Sequence, residues 1–313
     1  MASEGGTKAV VAALLANVGI AVAKFVGFLV TRSSSMLAES IHSVADSANQ
    51  VLLLIGGRRS RRDADESHQF GYGRERFFWA FVVAIVLFLL GGVFAIFEGV
   101  EKLLHPHEIE SPGWAIGILV AAMVMEGLSF RTAMRESRPL KADQHWFTFI
   151  RQTKNPELPV VLLEDFGALV GLVIALTAIG LTTVTGNADF DGIGTIAIGA
   201  LLVVIAIVLA REMKSLLIGE AASDADIEAV IAAINDAPDV VRLIHVRSEH
   251  LGPDELLVAA KIEFTHELTV PELADAIDTV EVRIRAAVPM ARLLFIEPDV
   301  HRSTKRGSSD RSA

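Results

Sequence analysis

Six long apolar stretches divide the first two thirds of the chain, at about 7–31, 36–57, 77–104, 113–137, 158–184 and 189–217. A helix of about 20 residues crosses a hydrocarbon core about 30 Å thick, so each stretch predicts one membrane span. The second is unlike the rest. From Ser33 to Gln50 it reads SSSMLAESIHSVADSANQ. At 100° per residue, Glu39, His42, Asp46 and Asn49 fall within roughly 80° of one another. Met36, Leu37 and Val44 take the opposite face. A polar stripe of this kind is costly in a bilayer and must face protein or water.

Beyond residue 218 the pattern becomes that of a small soluble domain. Asp224–Asp236 is amphipathic at helical period, with Ser223 placed as its N-cap. Val240–Glu249 and Leu256–Phe264 alternate as strands around the turn Leu251-Gly252-Pro253-Asp254. Val270–Val288 predicts a second helix with Pro271 in its first turn, and Leu293–Glu297 a last short strand. The predicted architecture is an α-helical membrane protein. It has a six-transmembrane-helix bundle over 1–218 and a small cytoplasmic α+β domain (α-β-β-α-β, ferredoxin-like) over 219–302. A disordered tail is expected at 303–313.

Charge adds a direction. Arg58, Arg59, Arg61, Arg62, Arg74 and Arg76 follow the second stretch, and Arg131, Arg135, Arg138, Lys141, Arg151 and Lys154 lie at the end of the fourth and beyond it. The loops on the other side carry little beyond Arg32 and Lys102. The positive-inside rule then puts both termini in the cytoplasm. The net charge of −10 and the lack of a basic face argue against a nucleic-acid partner. With no cysteine, a metal would be held by His, Asp, Glu, Asn, backbone or water. No cleavable signal peptide is expected, since the first apolar run is too long for a signal core.

The bland reading of Glu39, His42 and Asp46 is a hydrogen-bond network pinning helices together. The functional reading is a divalent cation that neutralises both carboxylates and takes the imidazole nitrogen. A second acidic point, Glu164-Asp165, lies in the fifth stretch. Adjacent residues point about 100° apart, so the two can hardly share one helix face. The wheel favours Asp165 toward the second helix and leaves Glu164 as a flanking ligand, a proton relay or a helix contact. Gly167 and Gly171 allow close approach there. Lys24, Glu98 and Glu126 are single intramembrane charges with no assigned partner. Asp65 and His68 make a candidate peripheral metal site in an exposed loop, to be weighed against a solvated acidic loop. In the terminal domain His245, His250, His266 and Glu297 have no tight ligand spacing, and ordinary surface histidines are the simpler reading. His42-x-x-x-Asp46 also matches an acyltransferase pattern, but no partner serine accompanies it.

With these residues in place, the chain resembles the cation diffusion facilitator family of divalent-metal/proton antiporters, over about residues 8–300. The resemblance rests on the six helices, SMLAESIHSVADSANQ, the loop SHQFGYGRER, the acid of the fifth stretch and the terminal α-β-β-α-β order. Within that family the run VVLLEDFGALVGLVIALTAIGLTTVTGN is similar to the zinc transporter 9-like branch. The resemblance implies a transport site of His42, Asp46 and Asp165. The family's fourth position falls on Val161, which cannot ligate, so Glu39 or Glu164 would complete the set. The wheel favours Glu39, which it puts beside His42 and Asp46. Asn49 would serve the pathway or support the ligands. The peripheral loop site would use Asp65 and His68, with Tyr72 standing at a ligand position. A weak cytoplasmic site would use His245 and Glu297, with Lys261 and Phe295 replacing other ligands. A homodimer is implied, with Arg74 and Glu220 as an interface charge pair.

The resemblance implies Zn²⁺ export from the cytoplasm in exchange for H⁺, across a bacterial cytoplasmic membrane, with no prosthetic group. One imidazole among carboxylates would also suit Mn²⁺, Fe²⁺ or Co²⁺. A membrane-embedded metal-dependent enzyme and an uncoupled channel are the readings of other classes.

Overall fold

The computed structural model describes residues 18–106, 111–141 and 144–301. The chain divides into two compact units, Met1–Ile218 and Gly219–Ala313. The expected tail, and the part of the first stretch before residue 18, lie outside the described residues.

In the first unit α1 is described over Val18–Thr31. Arg32, with a left-handed φ of 55°, turns the chain directly into α2, Ser34–Arg59. Ser33 caps α2 in extended conformation and accepts from the Met36 amide, and Arg58 and Arg59 sit in the last turn, where the helix dipole favours cations. Then come α3 (Glu75–Leu104), α4 (Pro112–Lys141), the short α5 (Trp146–Gln152), α6 (Glu157–Thr185) and α7 (Asp189–Ile218). Glu75–Leu104, Pro112–Arg135, Glu157–Thr185 and Asp189–Ile218 are long and apolar enough to cross a membrane. At 26 residues α2 extends about 39 Å, so its length suffices and its polar stripe alone sets it apart. Val22, Phe25, Val26 and Leu29 of α1 are exposed, as a lipid-facing surface requires.

Two features were not predicted. Within α3, Val83–Leu89 winds as π-helix. In addition, α3 and α7 meet on glycine at two levels. A Cβ on Gly92 would lie 2.8 Å from the Gly199 carbonyl oxygen, and one on Gly99 would lie 2.7 Å from that of Gly192. Backbones that close admit no side chain between them.

The second unit runs α8 (Asp224–Asn235), β1 (Val240–Gly252), β2 (Glu255–Phe264), α9 (Val270–Ala287) and β3 (Ala291–Pro298). The sheet order is β1-β2-β3, with the first pair antiparallel and the second parallel. The turn is tighter than predicted: Gly252 pairs with Glu255, leaving only Pro253 and Asp254 between the strands. Ser223 caps α8, and Thr269 and Glu272 form a capping box around Pro271 in the first turn of α9. Leu256, Val258, Ala260 and Ile262 alternate on β2 and are buried in one cluster with Ile234 and Ile284 of the two helices. Lys261, on the other phase of the alternation, faces away from that core.

Candidate metal centre

All four polar residues of the α2 stripe are buried: Glu39 and Asn49 at 0% exposure, His42 at 2% and Asp46 at 4%. His42 and Asp46, one turn apart, bring Nδ1 and Oδ1 to 3.5 Å. Both acids of α6 are buried too, and so is Glu126 of α4. Asp46 stands in the electrostatic field of Glu126, Glu39 and Asp165, and Glu164 in that of Asp46, Asp165 and Glu126. Asp46 Oδ1, Glu164 Oε2 and Glu39 Oε1 are buried with no hydrogen-bond donor of normal geometry. The acids of α2, α4 and α6 therefore form one neighbourhood. They do not form a closed cage, since among the described residues no three His, Asp or Glu groups converge closely enough to hold an ion.

The acids of α6 point differently from the wheel. Glu164 lies beside Asn49 of α2, just short of hydrogen-bond geometry. Asp165 instead accepts from Ser129 Oγ of α4 at 3.2 Å. A wheel gives the angle between two residues but not the azimuth of the helix among its neighbours, and α6 has neighbours on several sides.

Glu39 also departs from its expected surroundings. Its Oε2 accepts from Lys24 Nζ of α1 at 3.1 Å, and the same ammonium donates to Ser43 Oγ at 2.8 Å. Lys24 and Glu39 are both wholly buried. The other Glu39 oxygen rests against Gly171 of α6, where a Cβ would lie only 2.5 Å away. Gly167, one turn earlier, meets Ile205 of α7. So Gly171 admits the Glu39 carboxylate, whereas Gly167 serves the approach of α7.

A second buried cluster ties the start of α2 to α7. Asp191 Oδ2 accepts from the Ser34 amide at 2.9 Å, and Oδ1 accepts from Ser33 Oγ at 2.9 Å and from the Ser35 hydroxyl. Asp191 thus caps a helix other than its own. Asp191 was not singled out from the sequence, and Lys24 stood there only as an intramembrane charge with no assigned partner. A run of three serines opening a polar helix, with an acid opening another, is the only signal that pointed to the first.

The remaining predicted residues lie elsewhere. In the loop after α2, Asp65 Oδ1 accepts from the amides of Ser67 and His68 at 2.9 and 2.8 Å, and Oδ2 accepts from the Tyr72 hydroxyl. The Tyr72 bond, and after it the His68 amide, holds the Asp65 carboxyl below the usual carboxylate range. Tyr72 stacks on His68 and under Arg62. Both Asp65 oxygens therefore already serve the turn. In the second unit the register brings His245, Lys261 and Glu297 into one cross-strand row. Lys261 Nζ lies 2.9 Å from Glu297 Oε1 and 3.1 Å from Asp299 Oδ2. An ammonium thus occupies the centre of the row. Arg74 belongs to the first unit and Glu220 to the second.

The family described as Cation efflux transmembrane domain matches residues 10–218. The human proton-coupled zinc antiporter SLC30A9, mitochondrial, is 30% identical over 263 residues, covering 83% of this chain and 46% of that protein. Metal tolerance protein C4 of Arabidopsis thaliana is 32% identical over 265 residues, 84% of this chain and 58% of that protein. The cation-efflux pump FieF of Salmonella paratyphi A is 24% identical over 284 residues, 90% and 89% of the two chains. The chain spans about half the length of the SLC30A9 relatives it matches. Among solved structures, a nickel form of the MamM CTD aligns with 26% of this chain at 18% identity and a TM-score of 0.24. The chain belongs to the cation efflux, or cation diffusion facilitator, family, in the branch of SLC30A9.

Proposed function

We propose that the chain exports a divalent transition-metal cation, zinc foremost, from the cytoplasm in exchange for protons. The observation that carries the reading is the buried acid neighbourhood of α2, α4 and α6, in which Asp46 Oδ1 and Glu164 Oε2 have no donor. Buried acceptors of this kind call for a cation or a proton. The names of the SLC30A9 relatives support zinc as cargo and protons as counter-ion. The ligands are His42, Asp46 and Asp165, with Glu164 as the fourth rather than Glu39, because Lys24 holds one oxygen of the Glu39 carboxylate and the other is packed against Gly171. Modest side-chain rotation about the His42–Asp46 pair would gather them. His42 supplies a nitrogen, which suits Zn²⁺; the three carboxylates keep Mn²⁺, Fe²⁺ and Co²⁺ as a second reading.

Metal binding needs deprotonated ligands, so protons from the more acidic side displace the cargo. Rocking of α2 and α6 against the rest of the unit would alternate access. The arginine-rich loops support cytoplasmic termini. The second unit is proposed to dimerise the protein. In everted vesicles, Asp46→Asn and Asp165→Asn should each cut proton-driven zinc uptake by roughly 100-fold, as expected for loss of a ligand from a site of four. Uptake at the unaltered rate in either variant would overturn the site.

A further inference from the structure

We infer that Lys24 is a positioning residue of the cargo site: its ammonium holds Glu39 out of the ligand set and so biases the site toward zinc. The inference rests on the transport reading above and goes beyond it. Glu39 lies one turn before His42 on the same face, so by position alone it would ligate. Three observations remove it. Lys24 Nζ binds its Oε2, Ser43 anchors the ammonium from the same helix, and the opposite oxygen, which has no donor, is packed against Gly171 of α6. All three partners are buried. Pulling Glu39 onto a metal would leave Lys24 as an uncompensated charge in a medium of low dielectric, which is strongly unfavourable.

The choice of cation follows from the donor count. Without Glu39 the site offers one nitrogen and the carboxylates of Asp46, Asp165 and Glu164, a set that closes at four and suits tetrahedral zinc. With Glu39 it would gain oxygen donors and negative charge, which favours larger, harder ions of higher coordination such as Mn²⁺. Lys24 supplies a tethered cation at that point, so the exchangeable cation has one carboxylate fewer.

The test measures Zn²⁺ and Mn²⁺ binding to the purified full chain by calorimetry. It uses Lys24→Met, Lys24→Arg, the double variant Lys24→Met with Glu39→Gln, and Asp165→Asn as a control for the underlying reading. Lys24→Met should raise the Mn²⁺ affinity relative to Zn²⁺ by about tenfold, because Glu39 is released as a ligand. Lys24→Arg should leave the ratio unchanged, since it keeps the charge. The double variant, in which a neutral pair replaces the buried ions and which should fold even if Lys24→Met does not, should keep its Zn²⁺ affinity within about threefold. The inference is overturned if the double variant loses zinc binding as fully as Asp165→Asn, which would make Glu39 a ligand, or if a folded Lys24→Met shows the original ratio. Failure of the transport site itself reads differently: Asp165→Asn would then bind zinc normally.

Discussion

Each unit of the protein holds a lysine paired with a carboxylate, and the two pairs differ in almost everything but their chemistry. Lys24 and Glu39 have no solvent exposure, and a serine supplies the third contact. Lys261 is a quarter exposed, and its partners Glu297 and Asp299 are 67% and 38% exposed. Water can replace either partner of Lys261, whereas Lys24 has no exposed surface through which water could do so. The same contact, at about the same 3 Å, is therefore an obligate pair in one unit and an optional one in the other. Burial, not distance, sets the consequence.

The widest gap is expected on breaking the buried pair from one side. Lys24→Met alone leaves the Glu39 carboxylate buried without its ammonium and should cost roughly 3–5 kcal/mol, while Lys24→Met with Glu39→Gln should recover most of that. Thermal unfolding of the full chain in detergent, read as a double-mutant cycle, gives the coupling directly. Equal destabilisation by the single and double variants would show that Lys24 stabilises by packing, and the contrast with Lys261 would lose its basis.

Asp191 sharpens the comparison, because it is a buried carboxylate whose hydrogen bonds come from serine hydroxyls and an amide, with Lys102 coupled to it through charge. Its partners are the hydroxyls of Ser33 and Ser35 and the amide of Ser34, all at the N-terminus of α2, where the helix dipole favours an anion. Asp191→Ala should cost about 2–4 kcal/mol through several charge-assisted hydrogen bonds lost together. Asp191→Asn keeps one acceptor oxygen and should cost about half as much. Hydrogen exchange at Ser34 and Ser35 would locate the damage at the start of α2. Protection there that is unchanged in Asp191→Ala would refute the cap.

These contacts also show what could be read from the chain. The α2 stripe was legible, because helical period puts Glu39, His42, Asp46 and Asn49 on one side whatever surrounds them. The elements of the second unit were legible from local signals such as Ser223 and Pro271. Partners of the stripe were not. Lys24 is fifteen residues from Glu39 and Asp191 is more than 150 from Ser33, so both contacts depend on how helices pack. The wheel put Asp165 rather than Glu164 toward α2, since it holds no information on the azimuth of α6. The α3–α7 seam depends on Gly92 meeting Gly199 and Gly99 meeting Gly192, and a glycine in one helix does not name its counterpart. Lys261 was legible as a positive charge among expected ligands only through the family resemblance, and strand pairing then sets it between His245 and Glu297.

The smallest effect is expected at Lys261. Glu297, and after it Asp299, raise its ammonium above the ordinary lysine value. A group whose folded value is raised contributes fully below the unfolded value and loses that contribution as pH climbs through the folded one. The window thus opens only above about pH 10.5, and across pH 6–9 the pair should add no pH dependence. Lys261→Gln should leave the full chain's melting temperature within about 2 °C, as for an exposed pair. Amide exchange along β2 and β3 should likewise be unchanged at neutral pH. Marked loss of protection in those strands would mean that the ammonium is needed to hold Glu297 and Asp299 together. Lys261 would then behave as Lys24 does, and burial would no longer separate the two.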